Sequence, residues 1–205
     1  MTPSARNLII ANVATLVVAV VLKWDLGWLM WPFWMQSVII GYFAFKRMMS
    51  LENFSTEGLK SNGRPVPETE AGKRSTAFFF LAHFGIFHLV YLFFLLGNHG
   101  GYGPLEVIAL VGCGLGYLFS QRDTYAAQHA ADLRGRPNLG ALMFLPYLRV
   151  VPMHLGVMFG GAFDGGGVLA LTAFMVLKTI ADVGLDHADR KMAVKDLDEA
   201  ESTRS

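Results

Sequence analysis

The chain has 205 residues, of which 53% are hydrophobic and only 16% are charged, against about 25% charged residues in ordinary soluble domains. The formal net charge of +1 gives no reason to expect a nucleic-acid partner, and the length indicates one domain over residues 1–205. The single cysteine, Cys113, excludes a disulfide within the chain and a zinc site built from cysteines. These values favour an all-α, polytopic membrane protein surrounded by the lipid bilayer.

Six apolar stretches approach the length of about 20 residues that a transmembrane helix needs. They are predicted at about 7–23, 28–48, 75–96, 104–121, 141–163 and 167–185. The first two are separated only by the WDLG segment and are expected to form a helical hairpin. Ser75, Pro104 and Asn138 mark the predicted starts of the third, fourth and fifth helices.

The basic residues predict the orientation of these helices. The loops at 49–74 and 122–140 and the tail at 186–205 contain most of the Lys and Arg residues, whereas the loops at 97–103 and 164–166 contain none. Because cytoplasmic loops are enriched in Lys and Arg, both termini and the two long loops are predicted to be cytoplasmic. The expected location is the bacterial cytoplasmic (inner) membrane, crossed several times.

The two long cytoplasmic segments differ in their predicted structure. The 49–74 loop is polar, contains Pro65-Val66-Pro67, and is predicted to be irregular and mobile. The 122–137 stretch is expected to continue the fourth helix beyond the bilayer until Gly135-Arg136-Pro137 ends it.

Ionisable residues are concentrated in the cytoplasmic half of the predicted bundle. A rise of 1.5 Å per residue gives the depth of each from the cytoplasmic end of its helix: roughly 20 Å for His88 and His154, 12 Å for His83 and Arg149, 10 Å for Lys178 and 5 Å for Asp182. Charged groups at such depths cost about 2.5–3.5 kcal/mol each. They are therefore expected to face the bundle interior and to enclose a polar site between the third, fifth and sixth helices.

The favoured hypothesis is a membrane metalloprotein, because neutral imidazoles beside a carboxylate are ligands that Zn, Fe or Cu accept. The candidate metal ligands are His83, His88, His154, Asp182 and His187. The candidate catalytic residues are Arg149, Lys178 and Asp182. In this hypothesis Arg149 and Lys178 bind a small anionic substrate or orient the carboxylate.

Three alternatives stay open. A haem-binding electron carrier would use His88 and His154 as opposed axial ligands. A transporter or proton relay would line its path with the same charged residues. A structural assembly partner would use them only as contacts between helices, with Asp182 paired either to Arg149 or to Lys178, which lies four residues before it. A small polar or anionic ligand is the expected partner, and whether the chain is an enzyme is left open.

Several segments together resemble an uncharacterised bacterial family of integral membrane proteins, a domain of unknown function. They are Trp34 to Gly41 with Lys46-Arg47-Met48, the run His83-Phe84-Gly85-Ile86-Phe87, Pro146-Tyr147-x-Arg149 with His154, and Lys178 with Asp182. The resemblance covers four of the six predicted helices. It implies a polar site inside the membrane, and it implies no established activity.

Overall fold

The computed structural model describes residues 3–98, 103–159 and 167–202. In chain order its elements are α1 (Pro3–Val21), α2 (Leu26–Ser50), β1 (Lys60–Ser61), β2 (Arg64–Pro65), α3 (Glu70–Asn98), α4 (Pro104–Asp132), α5 (Leu139–Phe159) and α6 (Gly167–Ser202). The predicted α-helical class is confirmed, and each of the six predicted helices is present at its place in the chain.

Helix α2 is the centre of the helical bundle. Leu29 and Phe33 are completely enclosed, as is Met48 near the end of the helix. The segment LGWLMWPFWM is apolar on every face rather than along one stripe, which is typical of a helix that neighbours surround. Helices α3, α4 and α5 all pack against α2.

The other helices are arranged around this centre. Helix α1 packs on α4 and α6, and α6 packs on α5 as well. Helix α3 packs mainly on α2 and to a lesser extent on α5. As a result α3 and α6, which contain most of the candidate site residues, lie on different sides of the central helix.

Capping residues explain where the helices begin. The predicted starts at Pro104 and Asn138 are confirmed. The predicted start at Ser75 is wrong, because Thr69 accepts a hydrogen bond from the backbone N–H of Gly72 at 3.2 Å and α3 begins more than one turn earlier. A threonine hydroxyl in this position satisfies an N–H group of the first turn that has no partner within the helix.

Two helices extend beyond their predicted membrane spans. Helix α4 continues to Asp132, as predicted, and α6 continues through the charged tail to Ser202. Outside the described part of the chain lie residues 99–102 of the predicted 97–103 outer loop, residues 160–163 at the end of the predicted fifth span, the predicted outer loop at 164–166, and residues 203–205.

The 49–74 loop contains regular structure that was not predicted from the sequence. The loop contains a β-hairpin in which Lys60 pairs with Pro65 and Ser61 with Arg64. The two turn residues, Asn62 and Gly63, have φ values of 50° and 76°. Positive φ at both central positions is the requirement of a type I′ turn, for which Asn-Gly is the preferred sequence.

Backbone hydrogen bonds join this loop to the segment before α5. The N–H of Ser55 donates to the carbonyl of Pro137 at 3.0 Å, and the N–H of Leu139 donates to the carbonyl of Ser55 at 2.8 Å. The two long loops therefore form one ordered cap on this end of the bundle.

Glu68 gives this cap a polar anchor. Its carboxylate accepts a hydrogen bond from the backbone N–H of Thr56 at 3.0 Å and forms an ion pair with Arg136 at 2.6 Å. The bond from Thr56, and after it the guanidinium of Arg136, lowers the pKa of Glu68 below its ordinary value of 4.5.

Helices α3 and α4 expose most of their apolar surface. Residues Glu70–Gly97 and Pro104–Asp132 are each long and apolar enough to cross a membrane, and only 28% and 11% of their most apolar stretches are buried. The exposed side chains of α3 include Phe78, Phe79, Ile86, Phe87, Val90 and Phe93. The structure thus contains two candidate membrane spans.

Candidate functional site

A buried ion pair on α6 forms the centre of the candidate site. Lys178 Nζ donates to Asp182 Oδ2 at 2.6 Å, and the two side chains are 4% and 1% exposed. The four-residue spacing places both groups on one face of the helix, which confirms this predicted contact. Asn12 of α1 donates to the same carboxylate oxygen at 3.1 Å. The Lys178 ammonium also lies 4.7 Å from the centre of the Phe33 ring of α2, within the range of a cation–π interaction.

Arg149 of α5 is a second buried cation near this pair. It is 7% exposed and its charge acts on Lys178. The alternative that Arg149 itself pairs with Asp182 is wrong for the described residues, where the carboxylate is bound to Lys178 and Asn12 instead. Arg149 Nη1 and Asp182 Oδ1 are both buried with no hydrogen-bond partner in that part of the chain. Such groups cost free energy unless water or a ligand satisfies them.

Arg149 lines a narrow cleft between α2, α4, α5 and α6. The polar side chains of the cleft are Arg47, Gln121, Gln128, Arg149 and Asp189. Its volume is about 30 Å³, which accommodates about one or two water molecules. The cleft thus has room for a small polar group beside Arg149.

Arg47 holds the helices together at one end of this cleft. Its Nε and Nη2 each lie 2.8 Å from an oxygen of Asp132, and its Nη1 donates to Asp189 at 3.2 Å. Gln128 donates to the same oxygen of Asp189. Both carboxylates are bound to Arg47, and neither forms a hydrogen bond with Arg149 in the described part of the chain.

The pair on α6 is connected to α4 by hydroxyl and amide groups. Tyr117 and Thr15 are joined through their hydroxyls at 2.8 Å, and Thr15 donates to the carbonyl of Ala11 at 2.9 Å. The Tyr117 hydroxyl also lies 3.5 Å from Asn12 Oδ1. These buried polar groups fix Asn12, and through it the position of the Asp182 carboxylate.

The uncharged part of this network and the Arg47 cluster were not predicted from the sequence. A search for ionisable residues at membrane depth passes over Asn12 and Tyr117. Arg47 falls at the end of the second predicted span and Asp189 in the charged tail, so neither lies at the depth that such a search covers. A signal for Asp189 was present in the spacing of Asp182, Asp186 and Asp189, which recur every three to four residues and so continue the sixth helix beyond its predicted span. All three are buried.

His83 does not face the bundle interior. Its ring is exposed, and Nδ1 lies 2.8 Å from the hydroxyl of Tyr147 on α5. The ring stacks on Phe79, whose centroid is 5.4 Å away. His83 therefore belongs to the outer α3–α5 boundary.

His88 is buried and its protonation pattern is set by its own helix. Nδ1 lies 2.8 Å from the carbonyl oxygen of Phe84, an acceptor only, so Nδ1 holds the proton and donates. In the neutral ring Nε2 is then the unprotonated nitrogen, and it has no partner among the residues that the structure describes.

His154 is exposed and its Nδ1 lies 2.5 Å from the hydroxyl of Tyr91. Since the ring of Tyr91 contacts both histidines, the two are not arranged around a common empty space.

The predicted metal site is not supported by the structure. Within residues 3–98, 103–159 and 167–202, no group of three or more His, Cys, Asp or Glu side chains is placed to hold a metal ion. His187 is exposed on α6, and His83 and His154 are exposed elsewhere. The physical reason is the central position of α2, which separates the histidines of α3 from Asp182.

Comparison with curated proteins and with solved structures finds no match. A family model described as a family of unknown function, DUF6498, matches residues 1–199, which agrees with the resemblance to a domain of unknown function. The chain belongs to the DUF6498 family of unknown function.

Proposed function

We propose that the chain is a six-span integral membrane protein that binds a small anion at Arg149 and serves the passage of a small anionic solute across the bacterial cytoplasmic membrane. The apolar surface of α3 and α4 supports the membrane placement, because 28% and 11% burial of such stretches leaves phenylalanines and aliphatic side chains facing the surroundings. Soluble proteins rarely expose contiguous apolar surface on this scale. The distribution of Lys and Arg supports cytoplasmic termini and a cytoplasmic cap.

The proposed anion site depends on the buried guanidinium of Arg149. A guanidinium is always charged in proteins and has five N–H donors, yet Arg149 has no ion pair or hydrogen bond among the described residues. Arg149 and Lys178 interact electrostatically, but both are cations, and Lys178 is already bound to Asp182. Arg149 is thus a buried cation whose Nη1 has no partner among the described residues, and an added anion beside it supplies one.

The chemistry of the site suits a carboxylate or a small inorganic oxyanion. A guanidinium binds such groups through two parallel N–H bonds, and the cleft beside Arg149 accommodates only a small group. Asp182, held by Lys178 and Asn12, prevents the Lys178 ammonium from attracting the anion away from Arg149. The Arg47 cluster, at the end of the cleft formed by the cytoplasmic ends of α2 and α4, is the proposed entrance.

The test is anion binding by the purified full chain in lipid nanodiscs. Chloride, nitrate, acetate and phosphate are each added, with gluconate keeping the ionic strength constant. A ligand that binds only the folded protein at 100 times its Kd stabilises it by about 2.7 kcal/mol. At least one of these anions is expected to raise the melting temperature of the wild type and not that of Arg149→Gln.

The matched control is Arg134→Gln, which removes an exposed guanidinium bound to a backbone carbonyl of α4. This variant should respond to the anion as the wild type does. A wild type that responds to none of the four anions, or an Arg149→Gln variant that responds equally, would show that Arg149 is not an anion site. Uptake of the binding anion into proteoliposomes then tests passage across the membrane.

The haem hypothesis is a separate prediction that no observation of this structure favours. An absorption spectrum of the purified chain tests it directly, because bound haem gives a Soret band.

A further inference from the structure

A larger groove lies beside the β-hairpin, away from the Arg149 cleft. It is formed by the hairpin, the first turns of α3 and Met143 of α5. Its volume is about 610 Å³, within the range of pockets that bind small molecules. The groove is therefore large enough for a ligand of many atoms, which the Arg149 cleft is not.

The hairpin provides this groove with two basic side chains. Lys60 and Arg64 both line it, and the residues that line it include no acidic one. Both are exposed, and neither forms an ion pair within the described residues, whereas Lys73 and Arg136 nearby are paired with Glu70 and Glu68. Hydroxyl groups of Ser61 and Ser75 also belong to the lining. Two cations with added hydroxyl donors suit a phosphodiester.

The opposite side of the groove is apolar. Phe79, which is 58% exposed, and Met143 line it. Phe79 lies near the beginning of the exposed apolar surface of α3. Further exposed apolar side chains of the helix, such as Ile86 and Phe87, lie about two turns later. A ligand with a charged head at Lys60 and Arg64 would thus place an apolar tail along α3.

The groove is held in its shape before any ligand binds. Thr56 Oγ1 donates to the carbonyl of Val66 at 2.6 Å, and the N–H of Val66 donates to the carbonyl of Leu59 at 3.0 Å. The carbonyl oxygen of Pro67 lies so close to Gly72 that a Cβ there would clash with it. A wall fixed in this way loses little conformational entropy on binding, which favours affinity.

We propose that this groove binds the headgroup of an anionic phospholipid, with the phosphodiester at Lys60 and Arg64 and an acyl chain along Phe79. The proposal rests on the membrane placement given under "Proposed function", because the groove then lies at the cytoplasmic surface of the bilayer. It does not depend on the anion site at Arg149. Bound lipid would attach the cytoplasmic cap to α3 and the membrane surface.

The test is native mass spectrometry of the full chain with phosphatidylglycerol and phosphatidylcholine of identical acyl chains. The wild type should bind phosphatidylglycerol preferentially. Each basic residue near an anionic lipid contributes about a fivefold factor in affinity, so Lys60→Gln/Arg64→Gln should bind phosphatidylglycerol about 30-fold more weakly. The control, Arg122→Gln/Lys191→Gln, removes two exposed cations of α4 and α6 and should keep the preference.

Further results decide the proposal. Lys60→Arg/Arg64→Lys keeps both charges and should keep the lipid preference, which separates lost binding from lost folding. Equal binding of both lipids by the wild type, or an unchanged preference in Lys60→Gln/Arg64→Gln, would overturn the lipid site. Displacement of the lipid by millimolar glycerol 3-phosphate would overturn it in favour of a soluble phosphate ester. Failure of the chain to enter lipid bilayers would overturn the membrane placement as well, whereas loss of the lipid preference alone leaves the Arg149 site intact.

Discussion

Breaking the Lys178–Asp182 pair from one side should destabilise the fold strongly. The two charged atoms are 2.6 Å apart, so with an effective dielectric constant of about 20 their attraction is about 6 kcal/mol. The loss of hydration of two ions offsets most of this gain. Removal of one partner leaves the other charge buried alone, and we expect Asp182→Asn to lower the free energy of unfolding by about 3–5 kcal/mol.

Removing both charges should cost much less. Lys178→Met/Asp182→Leu leaves neither member of the pair buried alone, and replacement of a buried pair by apolar side chains is often neutral or stabilising. Asn12 keeps Thr179 as a hydrogen-bond acceptor at 3.2 Å. We therefore expect this double variant to lie within about 1 kcal/mol of the wild type, on the scale of apolar replacements that preserve volume.

The assay is the free energy of unfolding in mild detergent, measured for the wild type, Asp182→Asn, the single variants Lys178→Met and Asp182→Leu, and the double variant that combines these last two changes. The reasoning predicts a strong coupling between the two sites, because each single change is worse than the pair of changes together. Single changes that are harmless, or a double variant as unstable as the sum of the single variants, would refute it.

Further predictions concern the Arg47 cluster, the α2–α3 contact and the cap formed by the two long loops. Arg47→Gln leaves two buried carboxylates without a cation and should lower the unfolding free energy by about 3–5 kcal/mol. Arg47→Lys should lower it less, because lysine keeps the positive charge. Equal losses in the two variants would argue against an electrostatic role of Arg47. Gly41→Ala places a Cβ against a phenylalanine ring of α3 and should cost about 1–3 kcal/mol in the same assay. Gly85→Ala, where no atom lies within 4 Å of the added Cβ, should be neutral or stabilising by up to about 1 kcal/mol. A larger loss of stability in Gly85→Ala than in Gly41→Ala would contradict the packing described. The lowered pKa of Glu68 means that its contribution to stability is complete above pH 4.5 and is lost as the pH falls through the lower folded-state value. The Thr56 amide resonance should therefore titrate with a midpoint below 4.5, and Glu68→Gln should abolish that titration; a midpoint at or above the ordinary value would contradict the assignment.

The helices could be predicted from the sequence because their signals are local. Length and apolar composition place all six, and proline at position 104 and asparagine at position 138 mark two of their starts. The Lys178–Asp182 contact was predictable for the same reason, since both residues belong to one helix and their spacing determines the face they share.

The site was predicted only in part because depth along a helix does not determine which helices are neighbours. His88 and His154 were matched by depth, but the arrangement around α2 places Tyr91 in contact with both rings. Asn12 meets Asp182 across 170 positions of sequence, a contact that no local pattern indicates. The hairpin could have been predicted, because Asn62-Gly63 is a local signal for a type I′ turn. The polar composition of the loop drew the prediction away from regular structure.

The most direct test of the anion site is an experimental structure of the full chain in lipid nanodiscs with the stabilising anion present. The site predicts non-protein density at hydrogen-bond distance from Arg149 Nη1, reached from the end of the cleft formed by Arg47, and no such density in Arg149→Gln. An Arg149 guanidinium bound only to groups of the protein, with no density beside it at saturating anion, would contradict the proposed function.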